Sequence, residues 1–190
     1  MEPDKIALQG DFFRSLLGLQ LPTFADIARS DMALVLAVDV SGSVDDHRFK
    51  LQREGIAAAF GDDFSAAIAG GVNQTIEIAM IEWAEEQRVV LPWTVIHGHG
   101  ELAALAGRLR RAGRSWVHTM TDPGGGIAAA ERLLAIKPLV ADRQVIDVLG
   151  DGWQNTGDLS TADARDAAVS HGITLNGLPM TSGDDPDVDG

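Results

Sequence analysis

Asp39, Ser41 and Ser43 present three oxygen-bearing side chains at alternating positions in the sequence Asp-Val-Ser-Gly-Ser. They follow an apolar run at residues 32–38, which has the pattern of a strand buried on both faces of a parallel sheet. Carboxylate and hydroxyl oxygens without histidine or cysteine suit a hard cation, and Mg²⁺ is the first candidate. We therefore predict a cation site just beyond this strand.

A second acidic motif, Gly150-Asp151-Gly152, follows another apolar strand predicted at residues 143–150. Ligands of open α/β sheets bind at the carboxyl ends of the strands, so Asp151 should lie at the same edge of the sheet as the first motif. Thr121 stands in the sequence TDPGGGI at a loop-to-helix junction and is a further oxygen donor. The prediction thus brings three separate segments to one point.

The elements that must position these residues alternate between strands and helices, which predicts an α/β fold. It is a three-layer sandwich whose sheet is mostly parallel, with one antiparallel hairpin formed by strands at 75–83 and 88–96. Pro92 lies in the second strand, and because a central strand cannot lose a hydrogen-bond donor, that strand should be at an edge. The other predicted elements are helices at 45–60, at 100–112, after 124–126 and from Ser160, and a last strand at 173–180.

The chain has three predicted parts: a helical extension at 1–30, the α/β domain at 31–180 and an acidic, disordered tail at 181–190. The extension carries an apolar stripe at helical spacing. Its residues are Phe12, Phe13, Leu16 and Leu17.

The composition excludes several classes of protein. The 190 residues are 45% hydrophobic and 23% charged, as expected for one globular domain. The net charge of −13 has the wrong sign for a nucleic-acid binder, and the absence of cysteine excludes disulfides and thiol chemistry. No apolar stretch approaches the ~20 residues of a membrane span. Because residues 1–21 do not have the pattern of a signal peptide, the chain as written is expected in the cytoplasm, or in the periplasm or outside the cell if its N-terminus is processed or truncated.

Taken together, these motifs resemble the metal-ion-dependent adhesion site of von Willebrand factor type A (vWA) domains. The pattern of that family is Asp-x-Ser-x-Ser after the first strand, a lone threonine in a later loop and Asp-Gly after the fourth strand. One residue of this chain matches each position: Asp39, Ser41, Ser43, Thr121 and Asp151. Pro123 and the glycines after it depart from the family's threonine loop, and Thr119 is a nearby competitor for that position.

More narrowly, four segments are similar to a bacterial family of secreted or periplasmic vWA-like proteins of unknown function: ALVLAVDVSGSVDD, IEWAEEQRVVLPWT, RQVIDVLGDG and GITLNGLPM. The resemblance implies a non-catalytic protein-recognition module with bound Mg²⁺, for which Mn²⁺ and Ca²⁺ are alternatives. It also implies that a protein partner supplies an Asp or Glu carboxylate to the cation. Trp153 and Asn155 are candidates for partner contact at the rim, although Trp153 could equally cover the core.

A vWA sheet normally has six strands, and the sixth follows one more helix. Only TSGDDPDVDG follows the strand at 173–180, so the resemblance implies a fold without the final helix–strand unit. The strand at 173–180 then becomes an apolar edge, which natural proteins rarely leave open. Either the stripe at 12–17 covers the vacated face, or the chain forms a homodimer.

Two other functions fit parts of the pattern. The order Asp39, Thr121, Lys137, Asp151 is similar to the nucleophile, hydroxyl, lysine and acid motif of haloacid dehalogenase-type phosphatases. The general acid of those enzymes would fall at Ser41, which cannot protonate a leaving group, and Asn155 stands where a second metal-binding acid is usual. The other alternative is a vWA scaffold with a vestigial metal site.

Several residues also have plain structural interpretations. Ser43 could cap a helix, His97 and His99 are expected to be loop histidines, and residues 124–126 are expected to form a turn, not an anion cradle. Asp147 lies too far below the sheet edge to be a ligand and is expected to be a buried hydrogen-bonding acid.

Overall fold

The structure is a computed structural model that describes residues 28–115 and 119–180. Its strands are β1 (Arg29–Ser30), β2 (Met32–Asp39), β3 (Ile76–Trp83), β4 (Gln87–Ile96), β5 (Val140–Ala141), β6 (Gln144–Gly150) and β7 (Thr174–Pro179). Its helices are α1 (Asp46–Ala59), α2 (Asp62–Ala69), α3 (His99–Arg111), α4 (Pro123–Ala135) and α5 (Thr161–Ser170).

Five strands form the main sheet in the order β4-β3-β2-β6-β7. Every neighbouring pair is parallel except β3 and β4, which form an antiparallel hairpin. The predicted mixed sheet is therefore confirmed. Pro92 lies in β4 at one edge, where its missing donor costs no sheet hydrogen bond, and β7 forms the other edge.

Helices α4 and α5 pack on one side of the sheet, which we call the covered face. Its core is made of small and aliphatic side chains, among them Ala33, Val35, Ile127, Leu134, Ile146 and Ala168. Gly126 allows α4 to approach the sheet closely, because a Cβ at this position would lie 2.9 Å from the Trp83 ring. Ser160 caps α5 by accepting a hydrogen bond from the Asp163 amide at 3.0 Å, as its spacing predicts.

Helices α1, α2 and α3 lie on the other side, which we call the open face. They bury large aliphatic residues of β2, β3 and β4, including Leu34, Leu36, Ile78, Met80 and Leu91. In the described part of the chain no helix covers β6 and β7 on this side, and Leu178 of β7 is 48% exposed. The two sides of the same strands are thus packed very differently.

The structure differs from the sequence prediction at two places. Residues 29–30, which belong to the predicted helical extension, form β1 instead, because their backbone pairs in parallel with β5 and the Ser30 hydroxyl donates to buried Glu77 at 2.8 Å. Helix α2 was not predicted, because its first residue follows Gly61, which has no capping side chain. The apolar stripe at 12–17 and the tail at 181–190 lie outside the described residues.

None of the helices in the described ranges is both long enough and apolar enough to cross a membrane.

Candidate metal centre

The two acidic motifs meet because they end neighbouring parallel strands. Val38 of β2 is paired with Leu149 of β6, and Asp39 and Asp151 follow at the same edge of the sheet. Asp39 is fully buried, and its Oδ1 accepts a hydrogen bond from the Ser41 amide at 2.7 Å. A turn follows, in which the Val44 amide donates to the Ser41 carbonyl at 3.0 Å.

A chain of hydrogen bonds connects the two motifs. The hydroxyls of Ser41 and Ser43 lie 3.2 Å apart, and the Ser43 hydroxyl donates to Asp151 Oδ1 at 2.6 Å. Ser43 is not the helix cap that one interpretation allows, because the Asp45 side chain caps α1 by accepting from the Arg48 amide. The Ser43 hydroxyl is thereby directed to the site.

Thr121 completes the group from the loop before α4. It is 4% exposed, its amide donates to Asn155 Oδ1 at 2.7 Å, and its carbonyl accepts from the Asn155 amide at 3.0 Å. A Cβ added at Gly152 would lie 3.3 Å from Thr121 Cγ2 and 3.5 Å from Ser43 Oγ. Gly152 therefore allows the three segments to approach one another as the sequence predicts, whereas Thr119 lies on the exposed side of the loop.

The Asp39 carboxylate is electrostatically unbalanced. Its Oδ2 is buried and has no hydrogen-bond partner. Burial raises the pKa of Asp39, and the nearby charge of Asp151 adds to this effect, while hydrogen bonds from Ser41 oppose it. An unpartnered buried carboxylate oxygen is costly unless a proton or a cation neutralises it.

Arg48 is a functional neighbour that the sequence did not indicate. Its guanidinium forms an ion pair with Asp151 Oδ2 and donates to the Ser43 carbonyl at 3.2 Å. The arginine therefore balances the charge of one carboxylate of the site and leaves Asp39 as the uncompensated one. Its position in the first turn of α1 carries no sequence signal for this contact, because the partner lies 103 residues away.

A second arginine holds the loop that follows Ser43. Arg114 donates to the Val44 carbonyl at 2.6 Å and to the Asp45 carbonyl at 3.1 Å. Its guanidinium lies 5.1 Å from the centre of the Phe49 ring, on which Arg53 also packs at 5.0 Å. These contacts fix the loop from the side of α1.

The rim of the site is formed by the segment after Asp151. Trp153 is 94% exposed, so it does not cover the core, and this leaves the rim interpretation. Asn155 also lies at the surface but uses its amide oxygen to hold Thr121.

The remaining candidates have structural roles. His97 is within 3.1 Å of the Thr75 hydroxyl through Nδ1, and His99 is largely exposed. Residues 124–126 form the first turn of α4 and pack closely against their surroundings. Asp147 is half-buried and accepts a hydrogen bond from Asn176 at 2.8 Å, as expected of a hydrogen-bonding acid below the sheet edge.

Lys137 argues against the phosphatase alternative. Its Nζ donates to the Leu134 carbonyl at 3.3 Å and to Gln144 Oε1 at 3.1 Å, at the amino end of β6. Asp39 lies at the carboxyl edge, and a seven-residue strand separates the two ends by about 23 Å. A lysine that neutralises a phosphate must lie beside the attacked atom, and Lys137 does not.

The donor set fits a hard cation. Within residues 28–115 and 119–180 there is no cluster of three or more His, Cys, Asp or Glu that could hold a metal. A cation at this edge would instead combine the carboxylates of Asp39 and Asp151 with neutral hydroxyls of Ser41, Ser43 and Thr121. Oxygen donors of this kind suit Mg²⁺, which retains several waters.

The comparison with family models decides the family. Residues 29–189 match the model described as "Protein of unknown function (DUF1194)". The chain belongs to this family. No curated protein matches the chain.

Three solved structures illustrate the fold of this DUF1194 chain. BatB, a conserved hypothetical protein from Bacteroides thetaiotaomicron, is 21% identical, with a TM-score of 0.57 over 78% of this chain and 66% of its own. A von Willebrand factor type A protein from Catenulispora acidiphila is 19% identical, with a TM-score of 0.53 over 78% of this chain and 33% of its own. Proximal thread matrix protein 1 from the mussel byssus has a zinc-occupied metal-ion-dependent adhesion site (MIDAS) motif. It is 16% identical, with a TM-score of 0.60 over 81% of this chain and 37% of its own.

These likenesses show that the fold is that of a vWA domain, as the sequence motifs imply. The chain spans about two thirds of BatB and about a third of each of the other two proteins.

Proposed function

We propose that this chain is a divalent-metal-dependent protein-recognition module and not an enzyme. The observation that carries the proposal is the buried, unpartnered Oδ2 of Asp39, next to the hydrogen-bonded series Ser41, Ser43 and Asp151. A cation there would neutralise this buried carboxylate and remove the cost of leaving its oxygen without a partner. The vWA neighbour with a zinc-occupied MIDAS motif supports a metal at this place in the fold.

Mg²⁺ is the proposed cation, with Mn²⁺ and Ca²⁺ as alternatives. Ser41, Ser43 and Thr121 would hold it with neutral oxygens, and Asp39 and Asp151 would supply the negative charge. Because Arg48 already balances Asp151, the two carboxylates together neutralise less of the cation's charge than two free carboxylates would. The bound cation then remains attractive to one more anionic ligand.

We propose that this ligand is an Asp or Glu carboxylate of a protein partner. Trp153 supports an interaction surface, because an almost fully exposed tryptophan beside a charged site is a common interface anchor. The position that holds the general acid in the phosphatase alternative is Ser41, whose hydroxyl cannot protonate a leaving group. The site therefore favours recognition over turnover.

Isothermal titration calorimetry with Mg²⁺ and Mn²⁺ tests the metal site. The full chain should bind either ion, and the double variant Asp39→Asn with Ser41→Ala should lose the binding heat. The matched control is Asp63→Asn with Ser65→Ala on α2, which makes the same chemical changes away from the site and should bind as the wild type does. Equal isotherms for all three proteins would contradict the proposal.

The enzyme alternative has its own measurement. The wild type with Mg²⁺ should not hydrolyse an aryl phosphate above the rate of buffer alone. Turnover that disappears in Asp39→Asn would contradict the non-catalytic role and favour the phosphatase alternative.

A further inference from the structure

An apolar groove runs along the open face between α1 and β7. It encloses about 520 Å³, a volume that suits several large side chains. Strands β2 and β6 form its floor with Leu34, Leu36 and Leu149. Helix α1 and the residue after it form one wall with Ile56 and Phe60, and β7 forms the other wall with Leu178.

The groove contains a polar group that lacks a partner. Gln52 of α1 lines it and is 4% exposed, yet neither its amide nitrogen nor its amide oxygen has a hydrogen-bond partner. A buried amide without partners costs about 1–3 kcal/mol. The occupant that best fits this groove is therefore an apolar surface that also carries one hydrogen-bonding group.

The two ends of the chain differ in their fit to the groove. Residues 181–190 follow Met180, which lines the groove, but they include four aspartates and one aliphatic residue. The two charged residues that line the groove are already engaged, because Arg48 pairs with Asp151 and Asp147 accepts from Asn176. The aspartates of the tail would therefore enter the groove without paired charges. The N-terminal segment, with its apolar stripe, has the complementary chemistry.

The N-terminal segment also starts from a suitable place. The Ala28 carbonyl accepts from Val140 in the small β1–β5 sheet, and Leu34 of the groove floor is only six residues further along the chain. Residues 21–27 can span up to about 23–25 Å when extended. Because Ala141 of β5 packs on the covered face, the segment must first pass the amino ends of the strands, and its length is sufficient to reach the groove on the open face from there.

A helix over residues 11–20 would present both features that the groove needs. At about 100° per residue, Phe12, Phe13, Leu16 and Leu17 share one arc of the helix surface. Gln20 falls within the same arc, between Leu16 and Phe13, while the charged residues fall on the opposite side. One amide within an apolar stripe matches one unpartnered amide within an apolar groove.

We propose that residues 11–20 of this chain dock as an amphipathic helix in the groove between α1 and β7, with the Gln20 amide hydrogen-bonded to Gln52. The docked helix covers the half-exposed side of β7 on the open face. The docking requires no bound cation, so the cross-linking test can succeed or fail whatever calorimetry with Mg²⁺ shows.

Cross-linking of the full chain tests the docking directly, because the wild type has no cysteine. The variant Leu16→Cys with Leu178→Cys should react with a short bismaleimide to give a cross-linked product of monomer mass. The matched control, Leu16→Cys with Val169→Cys, places a comparably exposed thiol on α5 at the covered face and should give at least tenfold less of this product.

The other outcomes overturn the proposal. A product only of dimer mass would mean that a second copy fills the groove. No product, or equal yields in the test and control pairs, would mean that residues 11–20 do not dock there.

Hydrogen–deuterium exchange gives a second measurement that needs no cysteine. In the full chain, Leu16→Asp should increase exchange of the amides of β7 on the order of tenfold and leave those of α4 unchanged. The same exchange in Leu16→Asp and wild type would overturn the docking.

The amide pair has a separate test in urea unfolding of the full chain. Gln20→Leu and Gln52→Leu should each leave one amide unpaired, and the double variant should be more stable than the sum of the two single effects predicts. Strictly additive effects would overturn the pairing of Gln20 with Gln52.

Discussion

The covered and open faces of the sheet differ in how they bury the same strands. On the covered face, α4 and α5 pack small and aliphatic residues such as Ile127 and Ala168 against β2, β6 and β7. On the open face, α1 and α3 bury large residues of β2, β3 and β4, but β6 and β7 line a groove that contains Gln52. The comparison indicates that helices cover the strands throughout on the covered face, while the open face retains a groove with an unpartnered amide.

Buried charge on the open face sharpens this comparison. Arg53 of α1 forms an ion pair with Glu82 of β3, and both side chains are at most 3% exposed. Glu82 also accepts from the Ser115 amide at 3.0 Å, which ties the loop after α3 to the sheet. Burial lowers the pKa of Arg53, and the attraction of Glu82 opposes the shift. Because desolvating both charges costs much of what their attraction gains, we expect the intact pair to add little net stability.

The largest expected effect comes from breaking this pair. Arg53→Met leaves the Glu82 carboxylate buried without its partner and should lower the free energy of unfolding by about 3–5 kcal/mol. The double variant Arg53→Met with Glu82→Gln should recover most of that loss, because no buried charge remains and the side-chain oxygen at position 82 can still accept from the Ser115 amide. Urea unfolding of the three proteins measures both values, and a double variant as unstable as Arg53→Met would contradict this account.

The two faces should also respond differently to the same truncation. Leu134→Ala removes a side chain that is 1% exposed on the covered face and should cost about 2–5 kcal/mol. Leu178→Ala on the open face, made in the Leu16→Asp variant so that no docked helix covers β7, removes a side chain that is 48% exposed and should cost about 1 kcal/mol. Equal costs in urea unfolding would mean that β7 is packed as tightly on the open face as α4 is on the covered face, which would contradict the difference between the two faces.

A smaller effect concerns Asp39, at the strand end between the two faces. Because its pKa in the folded chain is raised above the unfolded value of about 3.9, the ionised carboxylate destabilises the fold at neutral pH, and this cost disappears as the pH falls through the folded pKa. In EDTA, Asp39→Asn should therefore be more stable than the wild type at pH 7, and the difference should shrink towards pH 4. Urea midpoints of the two proteins across this range measure it; a difference that grows as the pH falls would give the burial effect the wrong sign.

The smallest expected effect is at the rim. Trp153→Ala removes a side chain that makes almost no contact with the fold, so the free energy of unfolding should change by less than about 0.5 kcal/mol. Thermal unfolding of the variant checks this value. A larger loss would show that Trp153 supports the fold and is not held ready for a partner.

Much of the fold follows from local sequence patterns. The apolar runs that predict strands at 32–38 and 143–150 agree closely with β2 and β6, and Pro92 correctly indicates an edge. Because parallel strands bring their carboxyl ends together, the meeting of Asp39 with Asp151 also follows from the order of the elements.

What the sequence does not predict depends on contacts between distant residues. The pairing of β1 with β5 joins residues more than 100 positions apart, and two-residue strands have no periodicity to detect. Arg48 reaches Asp151 by virtue of its long side chain, and Gln52 lacks a partner only because of what surrounds it. Residue types alone do not indicate such contacts.

Arg48 connects the candidate metal centre with the groove on the open face, because it pairs with Asp151 and also lines the groove. An occupant of the groove that draws the guanidinium away from Asp151 would leave both carboxylates of the candidate metal centre free for a cation. Conversely, a cation that binds Asp151 would compete with Arg48 for this carboxylate and free the guanidinium to turn towards the groove. Thermodynamic linkage makes this coupling reciprocal: whatever factor one ligand contributes to the affinity of the other is returned in equal measure.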